Sequence, residues 1–499
     1  MWTEDKIKEC NCSKEKKCSG QIYTPSFIVS TILDFSGYFS CSVLKKHIID
    51  NSCGDGAFLV EIVSRYCREF LKLSSNCSEL KIDLETYVHG IEINESETVK
   101  CKERLDKVSL EYNVEGVKWD IACGNTLNVS KFDRKMDFVV GNPPYVRVHN
   151  LKENYLNVKK FNFAQNGMID LYLVFFEIGF NMLVSDGRMC LITPSSFFRS
   201  KAGISLREFL YKKRCLLGII DLEHFQPFAA TTYTAIMLCG SKGADVIEYY
   251  KYDGKRRREI KIDTLSYESV FINGKIYLSS KRNLNLIKNI EKTYKNNSRI
   301  SKVSVKNGFA TLCDSVFIGK IDIKDKCVID VIKASTGKWL KCIFPYNSEG
   351  VPISECELKR KHILVFNYLE KRKEKLIKRS IERNGSWFLF GRSQGIQDVF
   401  RNKVAINSLI TDIKSIKLNE VQACKGIYSG LYIVSHYSLE EIKNLILKND
   451  FIDYVKILRN YKSGGCYTFS SSDLEKFLVY KITKDWKNNE QPSLFKSFD

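Results

Sequence analysis

IIDNSCGDGAFLVEIVSRYCREF, residues 48–70, reads as a strand, a glycine turn and a helix in direct succession. KKHIIDNSC is a short β-rich run that reaches Asp50, and GAFLVEIVSRYCREFLKL has helical periodicity. Gly54 and Gly56 lie between them. Glycines at such a turn let backbone approach a ligand closely and leave helix N–H groups to hydrogen-bond it. A nicotinamide dinucleotide site calls for a third glycine and an acid about 20 residues on. Here Phe58 or Leu59 takes the third position, and the next strand-end acid, Glu92, is much further away. A nucleoside whose ribose hydroxyls are held by Glu92 fits this pattern, and so does an ordinary βα turn with glycine for tight packing.

Outward from this unit the alternation continues through residues 44–245. ETYVHGIEIN, VKWDIACGN, MDFVVGNPPY, GRMCLITPSSFF, LLGIIDLEHF and YTAIMLCGSK read as strands. SETVKCKERLDKVSLEY, DLYLVFFEIGFNML and LREFLYKKR read as helices. Apolar strands alternating with helices predict an α/β fold with a mostly parallel sheet covered on both faces. Ligands of such sheets bind at the carboxyl ends of the strands. After about Gly243 the alternation stops. Residues 300–499 mix short strands (VSVKNGFATL, SVFIGKI, LKCIFPY, SWFLFG, KVAINSLI, LYIVSHY) with charged helices (ELKRKHILVFNYLEKRKEKLIKRSIE, LEEIKNLILKN, SSSDLEKFLVYKI). The expected division is a first domain over 1–245, a junction over 246–299 that belongs to either side, and a second domain over 300–499.

The chain has 499 residues, too many for one compact core. Its formal net charge is +20. Residues 1–245 carry 31 basic and 30 acidic side chains, and residues 246–499 carry 47 and 28. A near-neutral half joined to a basic half makes the latter a polyanion binder or a lysine-rich solubilising surface. No apolar run approaches the roughly 20 residues that span a bilayer. The amino terminus is polar, without a signal-peptide core, and a cytoplasmic protein without membrane contact is expected. The 18 cysteines follow no disulfide framework and are expected as thiols. Cys10, Cys12 and Cys18 lack a fourth ligand at zinc spacing, so no metal is assigned.

DFVVGNPPYVR, residues 137–147, carries the chemistry. Two prolines directly after a buried strand remove two N–H donors and stiffen the turn. They set the directions of the Asn142 side chain and the Pro143 carbonyl, so that both acceptors face one amino group, and Tyr145 supplies a flat face. An acceptor pair beside an aromatic plate suits methylation of a planar exocyclic amine. Hydrogen bonds to the amine protons favour positive charge on nitrogen.

With this turn in place, the chain resembles the N6-adenine DNA methyltransferases of the gamma class, the TaqI-like group of restriction–modification systems. GQIYTP (20–25), DNSCGDGAF (50–58), GIEIN (90–94), GNTL (124–127), GNPPY (141–145), DLYLVFFE (170–177) and FAATTYTAIM (228–237) match that family's segments in order. The resemblance implies a Rossmann-like S-adenosylmethionine-dependent methyltransferase fold with a C-terminal α+β target-recognition domain. It implies cofactor contacts from Tyr23, Thr24, Pro25, Asp50, Cys53, Gly54, Gly56, Glu92, Asn125, Thr126, Asn142 and Phe175. The family often has Asp where this chain has Asn125. It implies catalysis by Asn142, Pro143, Pro144, Tyr145 and Phe228, with Phe228 preferred to Phe225. An adenine extruded from duplex DNA would be held by these groups and methylated on N6 by direct displacement, without a metal.

The basic half then becomes the DNA reader. Arg392, Ser393 and Gln394, after an aromatic strand, are its DNA-facing cluster, with Arg147 added from the catalytic turn. KRKEKLIKR (371–379) and KRRRE (255–259) are either solvated runs or phosphate contacts. Only about twenty residues precede GQIYTP, which suggests a stand-alone monomeric methyltransferase, paired with a separate cognate endonuclease. The competing readings are a protein-glutamine or ribosomal RNA methyltransferase, since N-P-P-Y also serves an amide nitrogen, and a non-catalytic DNA-binding specificity subunit.

Overall fold

The computed structural model describes residues 23–147, 155–228, 232–298, 302–379, 381 and 385–489. Its contacts divide the chain into two compact units, residues 1–284 and 285–499. The division falls inside the 246–299 stretch, within the helix Lys281–Asn297.

The first unit is built on a nine-stranded sheet of order β3-β2-β1-β4-β5-β7-β6-β8-β9. In chain order the strands are β1 Ile48–Asp50, β2 Val88–Glu92, β3 Asp120–Cys123, β4 Met136–Gly141, β5 Leu183–Pro194, β6 Leu216–Asp221, β7 Thr234–Gly240, β8 Val246–Asp253 and β9 Arg258–Ser266. Five of the eight pairings are parallel; β7 runs antiparallel to β5 and β6, and β9 to β8. The mostly parallel α/β expectation matches this sheet. The YYKYDGKRRREIKID passage is its edge hairpin, so residues 246–266 belong to the first unit. Asp253 makes that turn by accepting from the N–H groups of Lys255 and Arg256, and Arg257 lies over the Phe27 ring.

Helix α1 spans Ser26–Ser36 and α2 spans Ala57–Phe70. Phe58, Leu59, Ile62, Val63, Tyr66, Cys67 and Phe70 form the buried face of α2, at the spacing of one helical stripe. Arg65 fastens α2 to α1: it pairs with Glu61 and Asp34 and donates to the Tyr38 carbonyl. Helix α3, Cys77–Tyr87, escapes a periodicity reading because Leu80, Asp83 and Leu84 are its only buried residues. Asn76 caps it by accepting from Ser78 and Glu79. Helices α4 Glu95–Leu110, α5 Tyr172–Met182 and α6 Ile204–Lys213 fall where the sequence predicts them.

The second unit is α+β. One antiparallel sheet orders Ser304–Asn307, Leu431–Val434, Lys403–Ile406 and Leu418–Val421. Another orders Ile318–Gly319, Lys338–Ile343, Val328–Lys333 and Gly426–Tyr428. Three segments differ from their sequence reading. SWFLFG is a turn: the Arg379 guanidinium donates to the carbonyls of Trp387 and Leu389, which a ladder would otherwise use. SVFIGKI opens as a helical turn, Asp314–Phe317, before a two-residue strand. The long charged helix breaks into Glu355–Lys361, Ile363–Glu370 and Lys373–Ile377, with His362 non-helical at the first break. Arg379, the last residue of KRKEKLIKR, is thus a partly buried structural group, while Lys371, Lys373, Lys375 and Lys378 are exposed.

All described cysteines are free thiols; Cys10, Cys12 and Cys18 lie outside the described residues. No helix among the described residues is long and apolar enough to cross a membrane.

Gly56 starts α2 at φ +88°, and a Cβ there would stand 2.7 Å from Cys101 Sγ. Gly54, at φ +53°, would meet nothing within 4 Å. Gly56→Ala should therefore destabilise by about 2–4 kcal/mol, adding overpacking to left-handed strain. Gly54→Ala should cost about 1–2 kcal/mol. Thermal unfolding of the two variants checks the order; equal costs would show that the Cys101 contact relaxes freely.

Candidate active site

The carboxyl ends of β1, β2, β3 and β4 converge. Asp50 ends β1, and its carboxylate accepts from the Ser52 N–H at 3.0 Å. Glu92 ends β2. One of its oxygens accepts from Gly54 N–H at 2.9 Å and the other from Asn94 N–H at 2.8 Å. The glycine turn is therefore held by the neighbouring strand. Thr126, after β3, donates its hydroxyl to the Asn51 carbonyl at 2.7 Å. Asn125 accepts from Leu127 N–H through its side-chain oxygen, capping a short helical turn with the atom an aspartate would also offer.

The β4 end adds the proline turn. Gly141 sits at φ +150°, and a Cβ there would lie 2.6 Å from Asp50 Oδ1. Asn142 follows. Its Nδ2 donates to Thr24 Oγ1 at 3.1 Å, which sets the amide's orientation. Its carbonyl faces Ser52 Oγ at 3.5 Å. Pro143 is buried and Pro144 partly buried. Tyr145 donates its hydroxyl to the Ile192 carbonyl at 3.0 Å, which holds the ring in place. Burial pushes that phenol well above its ordinary value, so it stays protonated. Phe228 stands edge-on to Tyr145, with ring centroids 6.3 Å apart. Phe225 instead packs on Phe27 and Tyr252.

The remaining predicted residues are distributed less evenly. Tyr23 is exposed, its hydroxyl 3.5 Å from Glu97. Thr24 and Pro25 are partly buried ahead of α1, whereas Gly20, Gln21 and Ile22 lie outside the described residues. Cys53 is 4% exposed with its side chain in the core, where a Cβ on Gly90 would lie 3.2 Å from Cys53 Sγ. Its N–H donates to the Ile91 carbonyl, so Cys53 shapes the turn from within. Phe175 is buried in α5. Arg147 is exposed, and its backbone pairs with that of Asp170 in an isolated antiparallel β-bridge.

Sequence reasoning missed Asn51. It is fully buried, and neither atom of its carboxamide has a partner among the described residues. Its position directly after the strand-end acid was the available signal. A buried amide without partners costs roughly 1–3 kcal/mol, and ligand atoms could offset that. The open space above Gly54, the Glu92 carboxylate and the Asn51 amide together fit a nucleoside-type ligand.

In the second unit, Ser393 and Gln394 line a groove of about 670 Å³ with Lys306, Asn307 and Gln397. Gln394 Nε2 donates to the Gly308 carbonyl at 2.7 Å, and Arg392 N–H donates to the Ala310 carbonyl at 3.1 Å. The side chains of Arg392, Ser393 and Gln394 are exposed.

The first unit has a Rossmann-like α/β fold, and the second is an additional domain. Residues 56–228 match the Eco57I restriction-modification methylase family. The Type II methyltransferase M.BstVI of Geobacillus stearothermophilus is 30% identical over 245 residues, 45% of this chain and 43% of that protein. The Type II restriction enzyme and methyltransferase RM.Eco57I of Escherichia coli is 23% identical over 481 residues, covering 76% of this chain and 48% of that protein. The chain thus spans about half the length of these relatives. Among solved structures, the Type IIL restriction-modification enzyme MmeI in complex with DNA shares the fold. Its TM-score is 0.61 at 14% identity, over 94% of this chain and 68% of that one.

Asp50 gives a pH prediction. Burial first, and Glu92 after it, raise its carboxyl from 3.8 to about 7. A raised acid binds its proton more tightly in the folded state, so stability is full below about pH 4 and falls as pH rises toward 7. Asp50→Asn should remove this component of the slope. Denaturant titrations of both proteins between pH 4 and 8 check it; parallel profiles would place the Asp50 carboxyl in its ordinary range.

Proposed function

We propose that this chain is a site-specific DNA adenine N6-methyltransferase that uses S-adenosylmethionine. The observation that carries the reading is the orientation of Asn142. Thr24 takes the amide's N–H end, which directs the oxygen as the acceptor that an exocyclic amine requires. The Pro143 carbonyl is the second acceptor. Together they place negative dipole ends where positive charge develops on nitrogen, and such preorganised dipoles contribute strongly to rate. Tyr145 offers a face for stacking, held by its bond to the Ile192 carbonyl, and Phe228 packs beside it.

S-adenosylmethionine supplies a methyl group carried on a sulfonium. The residues that would hold it are Glu92 at the ribose hydroxyls, the Gly54–Gly56 turn, Asn51 with its buried amide, Asn125 and Thr126 at the base, and Tyr23, Thr24 and Pro25 at the methionine end. Phe175 is proposed on the family resemblance alone. The acceptor set needs no metal for methyl transfer. Adenine inside a duplex cannot reach such a turn, so the reading includes base extrusion.

Residues 285–499 carry 38 basic and 23 acidic side chains. This unit is the proposed reader of duplex DNA, with Ser393 and Gln394 at its groove and the exposed Arg392 next to them in the chain. Arg147 is the proposed DNA contact of the catalytic turn. A monomer acting beside a separate cognate endonuclease completes the proposal. A protein-glutamine substrate lacks a use for the basic unit, a ribosomal RNA substrate is separated by the incorporation assay below, and a dead specificity subunit lacks a use for the oriented Asn142.

Asn142→Ala should lower methyl transfer to DNA by about 10²-fold or more, the scale of losing one oriented transition-state group, while DNA affinity stays within a few fold. Labelled-methyl incorporation into DNA, RNA and protein, with a parallel DNA-binding titration, checks both halves. Near-normal incorporation by the variant, or incorporation into protein or RNA alone, would overturn the reading.

A further inference from the structure

Outside the catalytic unit, three side chains of different ligand chemistry converge. One donor atom each from Asp325, Cys327 and His362 lie within 4.8 Å of one another. Cys327 is 2% exposed, at the entry to the strand Val328–Lys333, and its carbonyl accepts from Phe344 N–H at 2.7 Å. His362 occupies the break between the helices Glu355–Lys361 and Ile363–Glu370. Asp325 Oδ1 accepts from Cys327 N–H at 2.8 Å and contacts His362 Nδ1 at 2.6 Å. One carboxylate oxygen of Asp325, the Cys327 sulfur and one imidazole nitrogen of His362 are the converging donors.

We propose that Asp325, Cys327 and His362 form a binding site for a thiophilic divalent transition metal of the Zn²⁺ class. The donor set decides the class. A thiolate with an imidazole suits zinc, whereas magnesium and calcium take oxygen-only shells. The 2.6 Å contact between Asp325 and His362 holds carboxylate and imidazole side by side, and an ion would take its place. Three protein donors leave one tetrahedral position for water. Binding forms a metal–sulfur bond in place of the S–H bond and releases the thiol proton to solvent; nothing is oxidised or reduced.

The position gives the metal a role. Asp325 and Cys327 directly precede the strand Val328–Lys333, and His362 lies 35 residues beyond Cys327 at a helix break. A bound ion would clip the broken helix to the sheet and close that loop. It would therefore make the folding of the second unit depend on metal supply, independently of whether the first unit transfers methyl groups.

The test uses the full chain with Cys10, Cys12 and Cys18 replaced by serine, which removes the other sulfur cluster. After chelation and dialysis, Co²⁺ is titrated as the spectroscopic probe. One equivalent should produce a thiolate-to-cobalt charge-transfer band, and Zn²⁺ should displace it. Cys327→Ser should abolish the band. His362→Gln, at the partly exposed ligand, should weaken affinity at least 10-fold and remove the rise in Tm that Zn²⁺ gives the parent. Circular dichroism confirms that each variant is folded; if Cys327→Ser is not, His362→Gln decides. Absence of the band in the parent, or a band and Zn²⁺ response unchanged in folded His362→Gln, overturns the site.

Discussion

The Glu92 carboxylate is the tie on which the candidate site depends. A glycine turn at the end of a strand is a floppy element, because glycine loses more conformational freedom on ordering than any other residue. Glu92 removes that freedom from the next strand over, taking Gly54 N–H on one oxygen and Asn94 N–H on the other. Charge-assisted bonds of this kind contribute about 1.5–3 kcal/mol each. The backbone continues the lacing: Cys53 N–H reaches the Ile91 carbonyl and Gly124 N–H reaches the Glu92 carbonyl. Three loops that could move independently become one rigid edge, and ligand-facing groups inherit that rigidity.

The next constraint runs in the opposite direction along the sheet, from β1 to β4. Asp50 reaches so close to Gly141 that no side chain fits there, and Gly141 also adopts φ +150°. Glycine before the Asn-Pro-Pro-Tyr turn is therefore demanded twice, by backbone conformation and by the carboxylate beside it. Burial, with the Glu92 charge after it, lifts the Asp50 carboxyl to about 7. The proline turn and the glycine turn are thus a single assembly, joined by the Asp50 side chain.

Legibility in the sequence follows from how each element is stabilised. The α/β unit was readable because its strands are apolar runs and α2 has one continuous buried stripe. Helix α3 was hidden, since its stability rests on an Asn76 cap and few buried residues. SWFLFG has the composition of a strand, yet Arg379, from a run that reads as surface charge, takes its carbonyls. No local pattern announces a partner that arrives from elsewhere in the chain. The charge split was likewise half visible. At the observed boundary the units carry 40 basic against 35 acidic and 38 against 23 side chains, because the KRRRE turn closes a hairpin of the first unit's sheet. In the candidate site, motifs exposed Glu92, Asn142 and Tyr145, but the orientation of the Asn142 amide depends on Thr24, 118 residues earlier.

Reactive-looking residues by themselves would have pointed to the wrong end of the sheet. At the amino ends of β1, β2 and β3, His47 Nδ1 meets His89 Nε2 at 2.9 Å, and His89 Nδ1 meets Asp120 Oδ2 at 2.8 Å. Lys131 closes the chain on Asp120 at 2.6 Å. Histidine, histidine, aspartate and lysine in a row resemble a proton relay. Yet each is closed on another protein group, and burial with the adjacent imidazole pushes His47 down, toward a neutral structural role. The carboxyl edge has the opposite character. Its groups are glycines, prolines and amides of little intrinsic reactivity. There, a Cβ added to Gly54 would meet nothing and the Asn51 amide is buried without a partner. A folded chain keeps such unmet space and unmet polarity where a ligand is to supply the rest, and that is why the site belongs at this edge.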